Sequence, residues 1–144
     1  MFKKIVMTCA ATFVLANVGH AETFEVKMLN KGAEGTMVFE PAFVAAQPGD
    51  TITFLATDKG HNAETIQGML PEGAEPFKSA LGKEFSVILE TEGLYGIKCT
   101  PHYALGMIAL IQVGAATNLE DATAVKQKGK AKKRFPALFE QVTE

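Results

Sequence analysis

The chain has 144 residues, which is enough for one domain and too few to expect two. Its 14 basic and 16 acidic residues give a formal net charge of −2, which argues against a nucleic-acid-binding protein. One of its two cysteines lies in an N-terminal apolar run, so the rest of the chain has a single thiol and cannot form an internal disulfide.

The first 21 residues are typical of a secretory signal peptide. Lys3 and Lys4 form a basic head, and residues 5–18 form an uncharged apolar run. Gly19 and Ala21 are small residues at the positions that signal peptidases require, which predicts cleavage after Ala21. The run is too short for a comfortable membrane span, so we expect an exported chain, residues 22–144, that is not inserted in a membrane.

Alternating apolar residues predict short strands along most of the remaining chain. In residues 23–29, Phe24, Val26 and Met28 alternate with polar residues, which is the pattern of a half-buried strand. Residues 30–36 and 67–82 are interpreted as connections, the second with at most one helical turn. The clearest strand segments are 23–29, 37–39, 43–46, 51–56, 83–90, 94–99 and 107–113. Short strands between Gly- and Pro-containing turns predict an all-β fold, an antiparallel sandwich or barrel.

The tail from residue 118 onward changes to helical patterning. Asn118 is a good N-cap, residues 119–128 have acids in the first turn and lysines in the last, and Gly129 can end the helix. A second helix is expected within residues 130–143, which Pro136 either starts or kinks. The predicted organisation is therefore one domain over 22–144 whose residues 118–144 form a helical tail.

Three metal donors lie within the nine residues 99-CTPHYALGM-107. Cys99 ends a predicted strand, His102 lies in the following loop, and Met107 begins the next strand. His61 follows Gly60 in a loop far upstream, and loops at one end of a sandwich can converge. Two imidazoles, one thiolate and a weak axial thioether are the ligands of a blue-copper electron-transfer site.

The residue types suit a copper ion that cycles between Cu(I) and Cu(II). Cu(I) favours soft sulfur and Cu(II) prefers nitrogen, so a mixed ligand set on rigid strands serves both states with little movement. Pro101 restricts the backbone of the ligand loop. Asn62 and Thr100 flank ligands, so we expect them to form hydrogen bonds that orient the loops and tune the sulfur.

Taken singly, each donor has an ordinary structural interpretation. A lone cysteine or methionine is more often a core residue, and a lone histidine more often a structural loop residue. The order of the donors, their spacing and their strand context together favour the copper interpretation over these alternatives.

The sequence resembles the pseudoazurins, a bacterial group within the cupredoxin family. The resemblance is carried by 60-GHN-62, 99-CTPHYALGM-107, 28-MLNKGAEGTMVFEPAF-43 and the two-helix tail, and it covers essentially the whole predicted mature chain. It implies an eight-stranded Greek-key sandwich that binds one copper ion through His61, Cys99, His102 and Met107. It also implies a monomeric periplasmic electron carrier, not an enzyme, that takes electrons from an upstream donor and serves a copper-type or haem-type nitrite reductase.

A docking surface is expected around the solvent-facing edge of His102. Apolar residues are predicted to surround it, although core packing would also explain the two methionines: Met37, Pro41, Met69, Pro101 and Leu105. Four lysines lie in or beside loops of the same end, although ordinary solvated surface would also explain them: Lys31, Lys59, Lys78 and Lys98. The resemblance favours a basic ring that steers an acidic redox partner.

Other interpretations of the donors remain. A periplasmic copper carrier or storage protein would use similar donors, although such sites usually have more sulfur ligands and release the metal easily. A thiol enzyme would use Cys99 as nucleophile and His102 as base, but no orienting third group or oxyanion hole is found. The same ligands also suit zinc, although the affinity order favours Cu²⁺.

Overall fold

Among residues 19–144, eight strands form two four-stranded sheets, and two helices follow them. The computed structural model describes residues 19–144, so the predicted signal peptide lies almost entirely outside the described residues. The strands are β1 (Thr23–Gly32), β2 (Gly35–Glu40), β3 (Phe43–Ala46), β4 (Asp50–Leu55), β5 (Glu64–Thr65), β6 (Phe85–Leu89), β7 (Gly93–Lys98) and β8 (Ile108–Val113). The predicted all-β sandwich with two C-terminal helices is confirmed.

The chain crosses repeatedly between the two sheets. The first sheet has the order β2-β1-β4-β6 and the second β3-β8-β7-β5. β1 pairs in parallel with β4, and β3 with β8, whereas the other pairings are antiparallel. The predicted antiparallel arrangement therefore holds for four of these six pairings and not for β1 with β4 or β3 with β8. Alternation along one strand shows its buried face but not the direction of its neighbour.

The main core lies between the sheets. Val26, Ile52 and Phe54 of the first sheet are fully buried, as are Ile97 and Ile111 of the second. For Val26, Ile52 and Phe54 this is the buried face that the alternating sequence predicted. Burial of each such side chain contributes about 1.5–3 kcal/mol to the stability of the fold. The strands that lead to the donor loops are therefore held firmly in place.

The predicted loop at residues 30–36 is mostly strand. β1 continues to Gly32 and β2 begins at Gly35, so only Ala33 and Glu34 form the turn. Lys31 pairs with Thr36 across this hairpin. The prediction failed because backbone hydrogen bonds between two strands can continue through exposed polar residues, where no alternation of apolar residues marks a strand.

The second helix packs on the outer face of the second sheet. The helices are α1 (Leu119–Ala124) and α2 (Ala131–Phe139), and α2 buries Phe135 and Leu138 against Leu110 of β8. The whole of β8 is buried, because the core covers one face and the tail covers the other. No helix in the described part of the chain has the length and apolar character that crossing a membrane requires.

The details of the tail differ from the prediction. α1 ends at Ala124 rather than near Gly129, and the Asn118 side chain does not cap it. Instead, Asn118 Oδ1 accepts a hydrogen bond from the Leu94 amide (2.7 Å), and its Nδ2 donates to the Leu94 carbonyl (2.9 Å). The Asn118 side chain thus bonds to the backbone of β7 instead of capping the first amides of α1. Pro136 lies inside α2, so of the two predicted places the start of the helix is excluded.

Candidate metal centre

Three predicted donors converge at one end of the sandwich. Cys99 directly follows β7, His102 precedes a short 3-10 helix at Tyr103–Leu105, and His61 lies between β4 and β5. The two Nδ1 atoms of the histidines are 3.1 Å apart. Cys99 Sγ lies 3.7 Å from His61 Nδ1 and 3.5 Å from His102 Nδ1. No other such group of histidine, cysteine and carboxylate donors occurs among residues 19–144.

The spacing of these atoms fits a single shared ion. Nitrogen and sulfur donors bind a first-row metal ion at about 2.0–2.3 Å, so donors on one ion lie roughly 3–4 Å apart. All three distances in the triangle fall in that range. Two imidazole nitrogens and one thiolate sulfur are the equatorial donors of a blue-copper site, so the residues present fit a copper ion.

The orientation of His61 is fixed by a residue that the sequence analysis did not identify. His61 Nε2 lies 2.8 Å from the Asn30 Oδ1 atom, an acceptor, so Nε2 carries the proton and Nδ1 presents its lone pair to the other donors. Burial lowers the pKa of His61, the neighbouring His102 lowers it further, and Asp58 raises it. The net effect favours the neutral imidazole, which is the form that binds a metal.

Cys99 is buried and is a free thiol. Burial raises the pKa of the thiol, while hydrogen bonds from the backbone amides of Asn62 and His102 oppose that shift. A buried thiolate therefore needs a positive charge close by, and a metal ion in the triangle would supply one.

The ligand loop is closed by its own backbone. The Cys99 amide donates to the Met107 carbonyl (3.0 Å), and the Met107 amide donates to the His102 carbonyl (3.2 Å). Gly106 adopts a φ of +90°, which glycine tolerates, and this turn returns the chain to β8. Met107 is fully buried in the same apolar cluster as Cys99.

A reciprocal pair of side-chain bonds joins the two donor loops. Asn62 Oδ1 accepts from the Thr100 amide (2.7 Å), and Asn62 Nδ2 donates to Thr100 Oγ1 (2.8 Å). Asn62 Nδ2 also lies 3.3 Å from the Ser79 carbonyl oxygen, and Thr100 Oγ1 donates to Glu64 Oε2 (2.7 Å). The structure thus brings Asn62 and Thr100 together between His61 and Cys99. Pro101, the next residue, is exposed.

The four lysines differ in their surroundings. Lys31, Lys59 and Lys78 are exposed. Lys98 is half-buried, its Nζ lies 3.9 Å from Glu64 Oε2, and it also lies 5.3 Å from the centre of the Tyr103 ring. Part of the charge of Lys98 is therefore already balanced within the protein.

The apolar residues expected around His102 also differ in exposure. Leu105 is 47% exposed, and Pro41 is exposed as well. Met37 is half-buried at an unusual φ of +53°. Met69 is fully buried against Gly96 of β7, so its predicted place on the surface is wrong. The sequence could not exclude it from the surface, because methionine is common both in cores and at binding surfaces.

Comparison with known proteins finds a family of copper-binding proteins and solved structures of similar fold. Residues 26–114 match the model of a family described as copper-binding proteins, plastocyanin/azurin family. A pseudoazurin of Paracoccus pantotrophus is 52% identical over 92% of each chain. The crystal structure of pseudoazurin from Methylobacterium extorquens AM1 has a TM-score of 0.82 at 50% identity, covering 84% of this chain and 99% of that one. Native pseudoazurin from Hyphomicrobium denitrificans has a TM-score of 0.81 at 45% identity, with coverage of 85% and 99%.

Proposed function

The chain belongs to the pseudoazurin group of the plastocyanin/azurin family, whose members bind copper and carry electrons rather than catalyse reactions, and we propose that it is a periplasmic shuttle serving a denitrification reductase. Its proposed electron acceptor is a nitrite reductase, of the copper or the haem type, and an upstream redox protein is its proposed donor. The predicted N-terminal signal peptide supports export. Fractionation of cells that express the full chain tests the location, because release with the periplasmic fraction is expected and cytoplasmic retention would contradict it.

The observation that supports this function most directly is the triangle of two imidazole nitrogens and one sulfur at 3.1–3.7 Å. When bound, copper supplies the one-electron chemistry through its Cu(I) and Cu(II) states. We propose that His61, Cys99 and His102 hold the ion. The buried Met107, whose amide bonds to the His102 carbonyl, would be the fourth donor.

The protein restricts the movement of these donors. His61 is held by Asn30, and the two donor loops are held to each other by Asn62 and Thr100. Donors that are fixed in this way change position little between two oxidation states, which suits rapid electron exchange.

Electrons are proposed to pass through His102. His61 and Cys99 are fully buried, whereas His102 is half-buried and belongs to the same loop as the exposed Leu105. An apolar patch of limited size at this position suits a partner that binds briefly and then leaves.

The exposed lysines of this end are proposed to attract an acidic partner. If they steer the encounter, the association rate should fall with salt, because charges are screened over about 10 Å at 0.1 M. Lys59→Ala should weaken this salt dependence more than Lys98→Ala, since Lys98 is already paired with Glu64. Lys27→Ala, in the middle of β1, is the control. Equal salt slopes for all three variants would contradict steering.

A visible absorption spectrum of residues 22–144 with added Cu²⁺ tests the redox site. An intense blue band that bleaches with ascorbate and returns on oxidation is expected, and Cys99→Ser should abolish it because the thiolate is lost. A pale wild-type solution, or copper loss during cycling, would contradict the electron-carrier function and favour the copper carrier or store.

A further inference from the structure

Three backbone carbonyls from two distant segments converge on the guanidinium of Arg134 in α2. Arg134 Nη1 donates to the carbonyl oxygens of Met37 (2.9 Å) and Gly106 (2.8 Å), and Nη2 donates to the Thr36 carbonyl (3.0 Å). Thr36 and Met37 belong to β2 of the first sheet, whereas Gly106 leads into β8 of the second. One side chain therefore connects α2 to both sheets at the end that carries the donors.

Two glycines make the space that the Arg134 side chain occupies. A Cβ atom on Gly106 would lie 2.9 Å from Arg134 Cδ and 3.0 Å from Nε, closer than side-chain contacts allow. A Cβ atom on Gly35 would lie 3.2 Å from Nη2. Both glycines also have positive φ values, +90° and +127°, which other residues rarely adopt. The backbone is thus shaped to receive the guanidinium.

The contact with Gly106 acts directly on the ligand loop. The Gly106 carbonyl belongs to the same rigid peptide unit as the Met107 amide, so a bond to that oxygen restricts both residues. The contact with the Met37 carbonyl acts on a strained residue. Met37 has a φ of +53°, a left-handed conformation that residues other than glycine rarely adopt.

Neighbouring contacts from the tail reach the same loop. The Lys130 amide donates to the Ala104 carbonyl (2.9 Å), and the Tyr103 hydroxyl donates to Gln127 Oε1. Gly129 lies so close to Ala104 that an added Cβ would be 2.3 Å from the Ala104 oxygen. The tail therefore contacts the ligand loop between His102 and Met107, with Arg134 at the Met107 side.

We infer that Arg134 is a positioning residue of the metal centre, because it fixes the Gly106–Met107 peptide relative to β2 and thereby the place of the Met107 donor. This inference deepens the proposed function and rests on it for the role of Met107. An arginine suits the task since its planar, forked donors can serve several carbonyls at once, whereas a lysine ammonium offers no such fork.

The first test uses the copper-free protein. Hydrogen exchange of the Met107 amide should become about tenfold faster or more in Arg134→Gln, because hydrogen bonds from a charged donor are lost. Arg134→Lys keeps the charge and should give a smaller change. Lys133→Gln, at the exposed neighbouring position of α2, should leave exchange at Met107 unchanged.

The second test uses the copper-loaded protein. Arg134→Gln should change the copper–thiolate absorption spectrum, because a displaced Met107 would alter the set of donors around the ion. Phe135→Leu is the matched structural control, because Phe135 is a buried contact of α2 that makes no part of the guanidinium cluster. It should lower the melting temperature and leave the spectrum unchanged.

The positioning role would be overturned if Arg134→Gln lowered only the melting temperature, with exchange at Met107 and the spectrum unchanged. It would also be overturned if Phe135→Leu altered the spectrum as much as Arg134→Gln did. A wild-type protein without a blue band would count against the proposed function instead, and exchange at Met107 would still decide whether Arg134 fixes the loop.

Discussion

The two loops that provide the donors are held in position in different ways. The loop from Cys99 to Met107 closes on itself through backbone hydrogen bonds between its own residues. The loop that carries His61 is held by side-chain bonds to distant segments: Asn30 binds the imidazole, and Asn62 of the loop itself binds Thr100 and lies close to the Ser79 carbonyl.

One donor loop is therefore positioned by contacts within itself, and the other by contacts with segments far away in the chain. A loop fixed by its own backbone should tolerate most single side-chain changes in its surroundings, and Arg134 is the expected exception because it bonds the Gly106 carbonyl of the loop itself. A loop fixed by side chains from other strands should lose its position when any one of them is removed. The difference also predicts which substitutions will affect the metal and which will affect only the stability of the fold.

The largest effect is expected for Asn62→Ala. The change removes both bonds to Thr100 and leaves its amide without that partner, so the free energy of unfolding should fall by about 2–3 kcal/mol. Copper affinity should fall as well, because the two donor loops are no longer joined. Chemical denaturation and copper titration measure these two quantities.

Asn118→Ala is the matched control for that variant. Asn118 also makes two bonds to one residue, the backbone of Leu94, but it does so at the start of the tail. It should cost similar stability and leave copper affinity unchanged. Equal losses of affinity in the two variants would show that general stability, and not the link between the loops, governs the site.

A smaller effect is expected for Asn30→Ala. The His61 Nε2 proton loses its acceptor, but Asn30 is exposed and water can replace it, so copper affinity should fall by about tenfold with little change in stability. Asn30→Asp keeps an acceptor at the same position and should retain most of the affinity. A fall of the same size in both variants would contradict the orienting role of Asn30.

The smallest effect is expected within the self-closed loop. Pro101→Ala should lower the free energy of unfolding by less than about 1 kcal/mol, since the exposed proline acts mainly by limiting the unfolded chain. The copper spectrum should stay the same. A clear spectral change would mean that this loop is less self-sufficient than its backbone bonds indicate.

The same difference explains what the sequence could predict about the site. Cys99, His102 and Met107 are close in the chain, so their spacing alone indicated a metal loop. Asn30 and Arg134 reach the site from an exposed strand end and from the tail. Neither has a local pattern that distinguishes it from ordinary polar surface, and only the packing of the strands and helices reveals their contacts.

The fold shows a similar division. Alternating residues such as Val26 and Met28 identified the strands and their buried faces, because burial acts on each strand separately. The parallel partner of β1 and the use of Asn118 on β7 were not predicted, because each depends on an element far away in the chain. Pairing partners are set by the whole sheet and not by the strand itself.

The parallel pairings have a consequence for how quickly the protein forms. β1 joins β4, and β3 joins β8, so both sheets are completed by segments that are far apart in the chain. Closing such long loops before their contacts form slows folding, and all-β domains of this kind typically fold in milliseconds to seconds. The His61–Cys99–His102 triangle requires strands of both sheets, so we expect the complete site to arise late, after most of the chain has collapsed.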